Sequence, residues 1–174
     1  MLVMTTERLA LLALEPSSAA LQAENISAFF DTIAVTPEPE WPPAPFEPHA
    51  LQWAADQLKH DPEGRGWYGW IITAKDERGA ARALGIAALI GRPDEDGDVE
   101  LAFGLMPDYR GKGYGGETLR ALAIWAFDNG ARRVISHLDA EDQIAAHTLE
   151  KIGFADTREP PYPGVAKWAL RAAA

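Results

Sequence analysis

The 174 residues are 47% hydrophobic, enough apolar material for one core and too short a chain for a second, so 1–174 reads as a single domain. Acidic residues number 26 against 16 basic ones, and the resulting net charge of −10 repels phosphate backbones, argues against a general nucleic-acid binder and suits a cationic partner such as an amine. Cysteine is absent, which excludes disulfides, thiolate metal sites and cysteine nucleophiles and fits a reducing cytoplasm.

The opening residues lack a basic segment followed by a long apolar run, and no stretch approaches about 18 uninterrupted apolar residues, so a soluble, untargeted protein without a membrane partner is expected. Arg8 to Leu14 reads as a strand and Ala19 to Phe30 as a short helix. Between 36 and 48, Pro37, Pro39, Pro42, Pro43, Pro45 and Pro48 preclude regular structure, and Trp41 and Phe46 mark a loop that packs down on the body. A helix begins near Pro48, with Leu51, Ala54, Ala55 and Leu58 as its apolar face, and ends at Asp61-Pro62-Glu63-Gly64. Trp67 to Ala74 and Ala83 to Ile90 read as a hairpin. The acidic turn Pro93 to Asp98 lacks the spaced ligands and closing glutamate of a calcium loop.

Next comes an alternating strand carrying Val99, Leu101, Phe103 and Leu105, a turn at Pro107-Asp108, and the glycine-dense run Arg110-Gly111-Lys112-Gly113-Tyr114-Gly115-Gly116. Leu119, Leu122, Ala123, Ala126 and Phe127 then share one side of a helix that closes at Asn129-Gly130. A loop between strand and helix offers unpaired backbone N–H groups, glycines permit close approach, and Arg110 and Lys112 add positive charge, so the run is a candidate phosphate or pyrophosphate cradle. Gly111, Gly113 and Gly116 also spell a dinucleotide fingerprint with Asp139 at the ribose position, although there the first glycine sits at the strand end, and here Met106 to Arg110 intervene. A P-loop is excluded because Gly113, not Ser or Thr, follows Lys112. Arg133 to Leu138 is a buried strand, Ile144 to Ile152 a short helix ending at Gly153, and Phe154 to Arg158 and Val165 to Leu170 the last strands. Hairpins with one helical crossover predict an α/β (α+β) domain: a mixed, mostly antiparallel sheet with helices on both faces.

Arg110 to Gly115 resembles the [Gln/Arg]-x-x-Gly-x-[Gly/Ala] signature of the GNAT N-acetyltransferases. Glu100-Leu101 with Phe103, then Pro107, Tyr109 and Glu117, resemble the branch that acetylates ribosomal-protein N-termini, as do Thr6-Glu7-Arg8-Leu9 near the start and Leu149-Glu150-Lys151-Ile152-Gly153-Phe154 downstream. The resemblance implies transfer of an acetyl group from acetyl-CoA to a small-molecule or peptide amine, by direct attack in a ternary complex and without a metal. It also implies that Arg110, Gly111, Lys112, Gly113, Tyr114, Gly115 and Gly116 hold the pyrophosphate, and that Phe103, Gly104 and Leu105 offer main-chain contacts to the pantetheine arm. Gly104 suits either the family's strand bulge or a tight packing point. Glu100 is the candidate base for the alkylammonium, with a solvated strand glutamate as its alternative. Alignment back from Gly153-Phe154 puts Asp142 where the family often has a cofactor-binding asparagine, and Leu149 where it often has an acidic tyrosine, so no general acid is assigned. Trp41 and Phe46 are the candidate acceptor wall. His49, His60, His137 and His147 show no metal spacing, and Ser136, His137 and Asp139 cannot form a triad because strand neighbours point to opposite faces. Two other readings stand beside this one: a dinucleotide-binding oxidoreductase, and a non-catalytic acyl-CoA-binding protein. A homodimer is compatible with all three.

Overall fold

Alternating apolar residues zip into one eight-stranded sheet in a computed structural model that describes residues 1–173. In chain order the elements are β1 (Val3–Thr5), β2 (Ala10–Ala13), α1 (Pro16–Glu24), α2 (Ile26–Ile33), α3 (Pro48–His60), β3 (Trp70–Lys75), β4 (Ala81–Leu89) and β5 (Asp98–Leu105). A short 3₁₀ turn (Pro107–Tyr109), α4 (Tyr114–Asp128), β6 (Arg133–Asp139), α5 (Gln143–Lys151), β7 (Ala155–Asp156) and β8 (Val165–Arg171) complete it. The strand order is β1-β2-β3-β4-β5-β6-β8-β7, antiparallel everywhere except β5 against β6. The parallel step follows from α4, which carries the chain back along the sheet as a crossover.

Along β5 the side chains alternate between the two layers. Phe103 and Leu105 face α4, where a Cβ on Gly115 would come within 2.9 Å of the Phe103 ring. Gly104 faces the other layer, where a Cβ would come within 2.1 Å of the Ala44 carbonyl in the proline-rich loop. Helices therefore cover both faces, as expected. The α3 face is the one read from the sequence: Leu51, Ala54, Ala55 and Leu58 are buried, and the two leucines contribute on the order of 2 kcal/mol each in apolar transfer.

Two local features differ from the sequence reading, and at a third, Gly104, the structure selects one of its two alternatives, the packing point. The N-terminal residues add β1, a three-residue edge strand too short to show an alternation. The single helix expected from Ala19 to Phe30 is two, because Asn25 leaves helical geometry and its side chain accepts the Ala28 N–H at 3.0 Å, capping α2. Gly104 is not a bulge: the β4–β5 register runs unbroken from Leu89↔Leu101 to Gly85↔Leu105, and the glycine serves the close approach of Ala44.

Candidate active site

β5 and β6 pair over only three positions, Asp98↔Arg133, Val99↔Val134 and Glu100↔Ile135, and then separate. Arg133 clamps the joined end, its Nε donating to Asp98 Oδ1 at 2.7 Å. Toward the other end β5 keeps β4 as a partner and has a free edge. The Ile90 N–H donates to the Glu100 carbonyl, and the Met106 N–H donates to the Leu84 carbonyl. With the register between them unbroken, Ala102 and Gly104 bond to β4, and Phe103 and Leu105 turn their backbone groups into the gap. This corrects the expected trio: Gly104 spends its backbone on Ile86, and its contribution to the site is the space it leaves for the proline-rich loop. The Leu105 carbonyl is also taken, accepting Arg110 Nε at 3.0 Å, so the donors left in the gap are the N–H groups of Phe103 and Leu105.

The gap opens onto the glycine-rich loop. Gly111 and Gly113 take positive φ values of 72° and 84°, turning the chain from the 3₁₀ turn into α4. The six successive N–H groups from Gly111 to Gly116 have no acceptor among the described residues. Three begin α4, where the helix dipole adds positive potential. A row of unpaired amides converging on a helix start fits a pyrophosphate, and the residues present therefore suit the diphosphate of an acyl-CoA.

A brace from the opposite end of the chain holds this loop. Arg8 donates from NH1 to the Lys112 carbonyl at 2.9 Å, lies 4.6 Å over the Tyr114 ring and pairs through Nε with Glu117 Oε2 at 2.7 Å. Glu117 Oε1 also accepts the Thr6 hydroxyl at 2.5 Å and the Arg8 N–H at 2.9 Å. Burial works to raise the Glu117 carboxyl, but the hydrogen bonds from Thr6 and Arg8 outweigh it and hold the group below its ordinary value. The side chain of Lys112 turns toward Tyr109, its Nζ 5.7 Å from the ring centre.

Glu100 stands where β5 and β6 part. Its Oε1 lies 2.9 Å from His137 Nδ1 across the start of the gap, and both side chains remain partly open to solvent. The sequence reading missed His137: a lone histidine on a strand carries no spacing signal, and only the parallel register puts it on the Glu100 face. Ser136 is buried and faces the other layer, so the three residues of the apparent triad do not meet.

On the Glu100 face the proline-rich loop crosses β5 at Gly104. Glu38 anchors it, accepting the Tyr109 hydroxyl at 2.6 Å and Arg82 NH2 at 2.8 Å. These two hydrogen bonds hold the Glu38 carboxyl below its usual range. Phe46 is buried and lines an apolar cavity beside β4. Trp41 does not line that cavity; it packs edge-on against Phe30, with ring centroids 5.1 Å apart. Asp142 is the N-cap of α5, its carboxylate accepting the Ala145 N–H at 2.9 Å, and Leu149 is fully buried. The 3₁₀ turn separates β5 from Gly111, so the first glycine of the dinucleotide fingerprint lacks its required place at the strand end; Asp139 closes β6 and accepts the Glu141 N–H within its own turn.

Over residues 11–155 the sequence matches the family described as "Acetyltransferase (GNAT) domain". The N-acetyltransferase YjdG of Bacillus subtilis, described as uncharacterized, is 30% identical over 116 residues, covering 66% of this chain and 67% of its own. Among solved structures, the ribosomal-protein-S5-alanine acetyltransferase of Vibrio fischeri superposes with a TM-score of 0.63 at 15% identity, covering 98% of this chain and 97% of the other. The spermidine/spermine N-acetyltransferase SpeG of Vibrio cholerae does so with a TM-score of 0.59 at 19% identity, covering 94% and 92%. At these identities the two structures share the fold, and their different acceptors belong to them.

Proposed function

The chain belongs to the GNAT N-acetyltransferases, which use acetyl-CoA as cosubstrate, and from that premise we propose that it acetylates a primary amine by direct attack in a ternary complex, with Glu100 as the base. The observation that carries this reading is the placement of Glu100 where β5 and β6 part, on the same gap as the free Phe103 and Leu105 N–H groups and the amide row of Gly111 to Gly116.

Acetyl-CoA supplies the activated acyl group. Gly111 to Gly116 hold the diphosphate through backbone N–H groups, with Arg110 and Lys112 adding positive charge. The Phe103 N–H lies along the free edge of β5, where a pantetheine arm can add as a strand does. The Leu105 or Phe103 N–H polarises the thioester carbonyl and stabilises the charge that develops on its oxygen. Glu100 accepts the proton of the acceptor's ammonium, directly or through one water. A hydrogen bond donated by His137 Nδ1–H orients the carboxylate. The free amine then forms the C–N bond as the C–S bond breaks. Sequence alignment back from Gly153-Phe154 puts Leu149 where other members often carry a tyrosine; with no general acid assigned, the departing thiolate takes its proton from water.

The test combines binding and turnover. Coenzyme A should raise the melting temperature and NADH should not, since only a ligand of the native state stabilises it. Release of free thiol from acetyl-CoA should require an added amine, and Glu100→Gln should slow it roughly 10²-fold while leaving the coenzyme A shift intact. Stabilisation by NADH alone would refute the assignment.

A further inference from the structure

The Glu100 face contains an apolar cavity of about 60 Å³ between α1, α3 and β4. Its walls include Phe46, Trp53, Ala54, Tyr68 and Ala88, and no ionised side chain lines it. The Tyr68 hydroxyl is already donated to Asp61 at 3.0 Å. One polar group belongs to the wall: Gln22, 1% exposed, whose Nε2 has no hydrogen-bond partner among the described residues. A buried amide N–H without an acceptor is costly, by about 1–3 kcal/mol, and such a group in a cavity wall points to an acceptor atom that comes from outside.

The cavity lies beside the proposed base. Ile90, at its rim and 42% exposed, donates its N–H to the Glu100 carbonyl at 2.8 Å. Ile90 and Glu100 are thus a hydrogen-bonded antiparallel pair, with Cα atoms about 5.5 Å apart and side chains on the same face. A group attached to an amine held at Glu100 and lying back over Ile90 is directed toward the mouth of the cavity.

We propose that this cavity is the subsite for the acceptor's substituent and that Gln22 reads it: the acceptor is a primary amine bearing a short, uncharged, mainly aliphatic arm with one hydrogen-bond acceptor atom. This rests on the acetyltransferase reading above. The volume sets the size of the arm. A cavity of roughly 150 Å³ is needed for a benzene ring, so about 60 Å³ takes an aliphatic arm of three or four heavy atoms. The lining sets the charge. A polyamine or aminoglycoside arm would bring a second cation into a wall with no carboxylate to pair with it.

The probes are glycinamide, alaninamide, norleucinamide, the amide of O-methylhomoserine and spermidine, assayed with acetyl-CoA. The ether differs from norleucinamide only by oxygen in place of one methylene. Each buried carbon is worth roughly fourfold, so norleucinamide should exceed alaninamide by about 50-fold in kcat/KM. Gln22→Met keeps the volume and removes the donor, and should shift the ether-to-norleucinamide ratio about tenfold toward norleucinamide. Ala54→Leu fills the cavity and should erase the norleucinamide advantage while sparing alaninamide; Ala88→Val provides the same test from the sheet. Equal rates across the amides, faster turnover of spermidine, or a Gln22→Met variant that gains stability with an unchanged ether ratio would each overturn the proposal. Coenzyme A stabilisation and alaninamide turnover, measured alongside, separate that outcome from a failure of the acetyltransferase reading, which would remove both signals and this proposal with them.

Discussion

Glu117→Ala removes the centre of the brace that ties the N-terminal residues to the glycine-rich loop. The carboxylate receives three hydrogen bonds, from the Thr6 hydroxyl at 2.5 Å, the Arg8 N–H at 2.9 Å and Arg8 Nε at 2.7 Å. Hydrogen bonds to a charged group contribute about 1.5–3 kcal/mol each, but the Arg8 side chain is 43% exposed and can return to water, so its share is discounted for solvent screening. A net loss of about 2–3 kcal/mol is expected, which for a domain of this length lowers the melting temperature by roughly 4–12 °C. The sign of the pH dependence follows from the direction of the shift. Burial pushes the Glu117 carboxyl up, the hydrogen bonds from Thr6 and Arg8 more than offset that, and the folded-state value lies below the unfolded one. The stabilisation is therefore complete above the ordinary glutamate value of about 4.3 and disappears as pH falls through the lower folded value. Thermal melts of wild type and variant from pH 7 down to pH 3 should show a wide gap that closes only in the acid range. A gap of less than 2 °C at pH 7, or one independent of pH, would refute the reasoning. Arg8 also holds the Lys112 carbonyl and covers Tyr114, so coenzyme A should bind the variant several-fold more weakly.

His137→Ala should reduce kcat by less than Glu100→Gln does and leave the acetyl-CoA KM unchanged, which pH–rate profiles and initial rates will check. Gly104→Ala places a Cβ 2.1 Å from the Ala44 carbonyl, a main-chain atom that cannot swing aside, so the proline-rich loop must move; the amine KM should rise more than the acetyl-CoA KM. Trp41→Ala removes a partly buried ring packed on Phe30, and denaturant unfolding should show a loss of about 3 kcal/mol with both Michaelis constants changed alike.

Much of the architecture was legible because it rests on short-range patterns. The α3 face shows in Leu51, Ala54, Ala55 and Leu58, and the strand-loop-helix unit shows in the switch from period two along Val99 to Leu105 to period 3.6 after Gly116. Glu100 and the glycine-rich run were found through resemblance together with that local grammar. What stayed hidden depends on contacts between distant segments. His137 meets Glu100 across 37 positions, Arg8 meets Glu117 across 109, and Glu38 meets Tyr109 across 71. None leaves a mark on its own neighbourhood. Gln22 was silent for another reason: α1 has only a weak apolar face, so a glutamine on it reads as solvated until the packing against α3 buries it. Asn25 could have been read, since it is a favoured helix cap, but the apolar residues on either side suggested one continuous helix.

The proline-rich loop joins the two halves of the site. Glu38 bonds at once to Arg82 on β4 and to Tyr109 in the turn that leads into Gly111, while six residues later Ala44 lies against Gly104 and then Phe46 enters the wall of the apolar cavity. Six prolines between Pro37 and Pro48 restrict this segment before folding, so holding it in place costs less chain entropy than an ordinary loop of the same length. The consequence is mechanical. The segment that borders the apolar cavity and the turn that leads into the glycine-rich loop share one carboxylate, which its two donors hold below its usual range. Removing the Glu38 carboxylate should therefore disturb the loop segment beside the cavity and the turn before Gly111 together, which the melting temperature of Glu38→Ala and its coenzyme A shift will check.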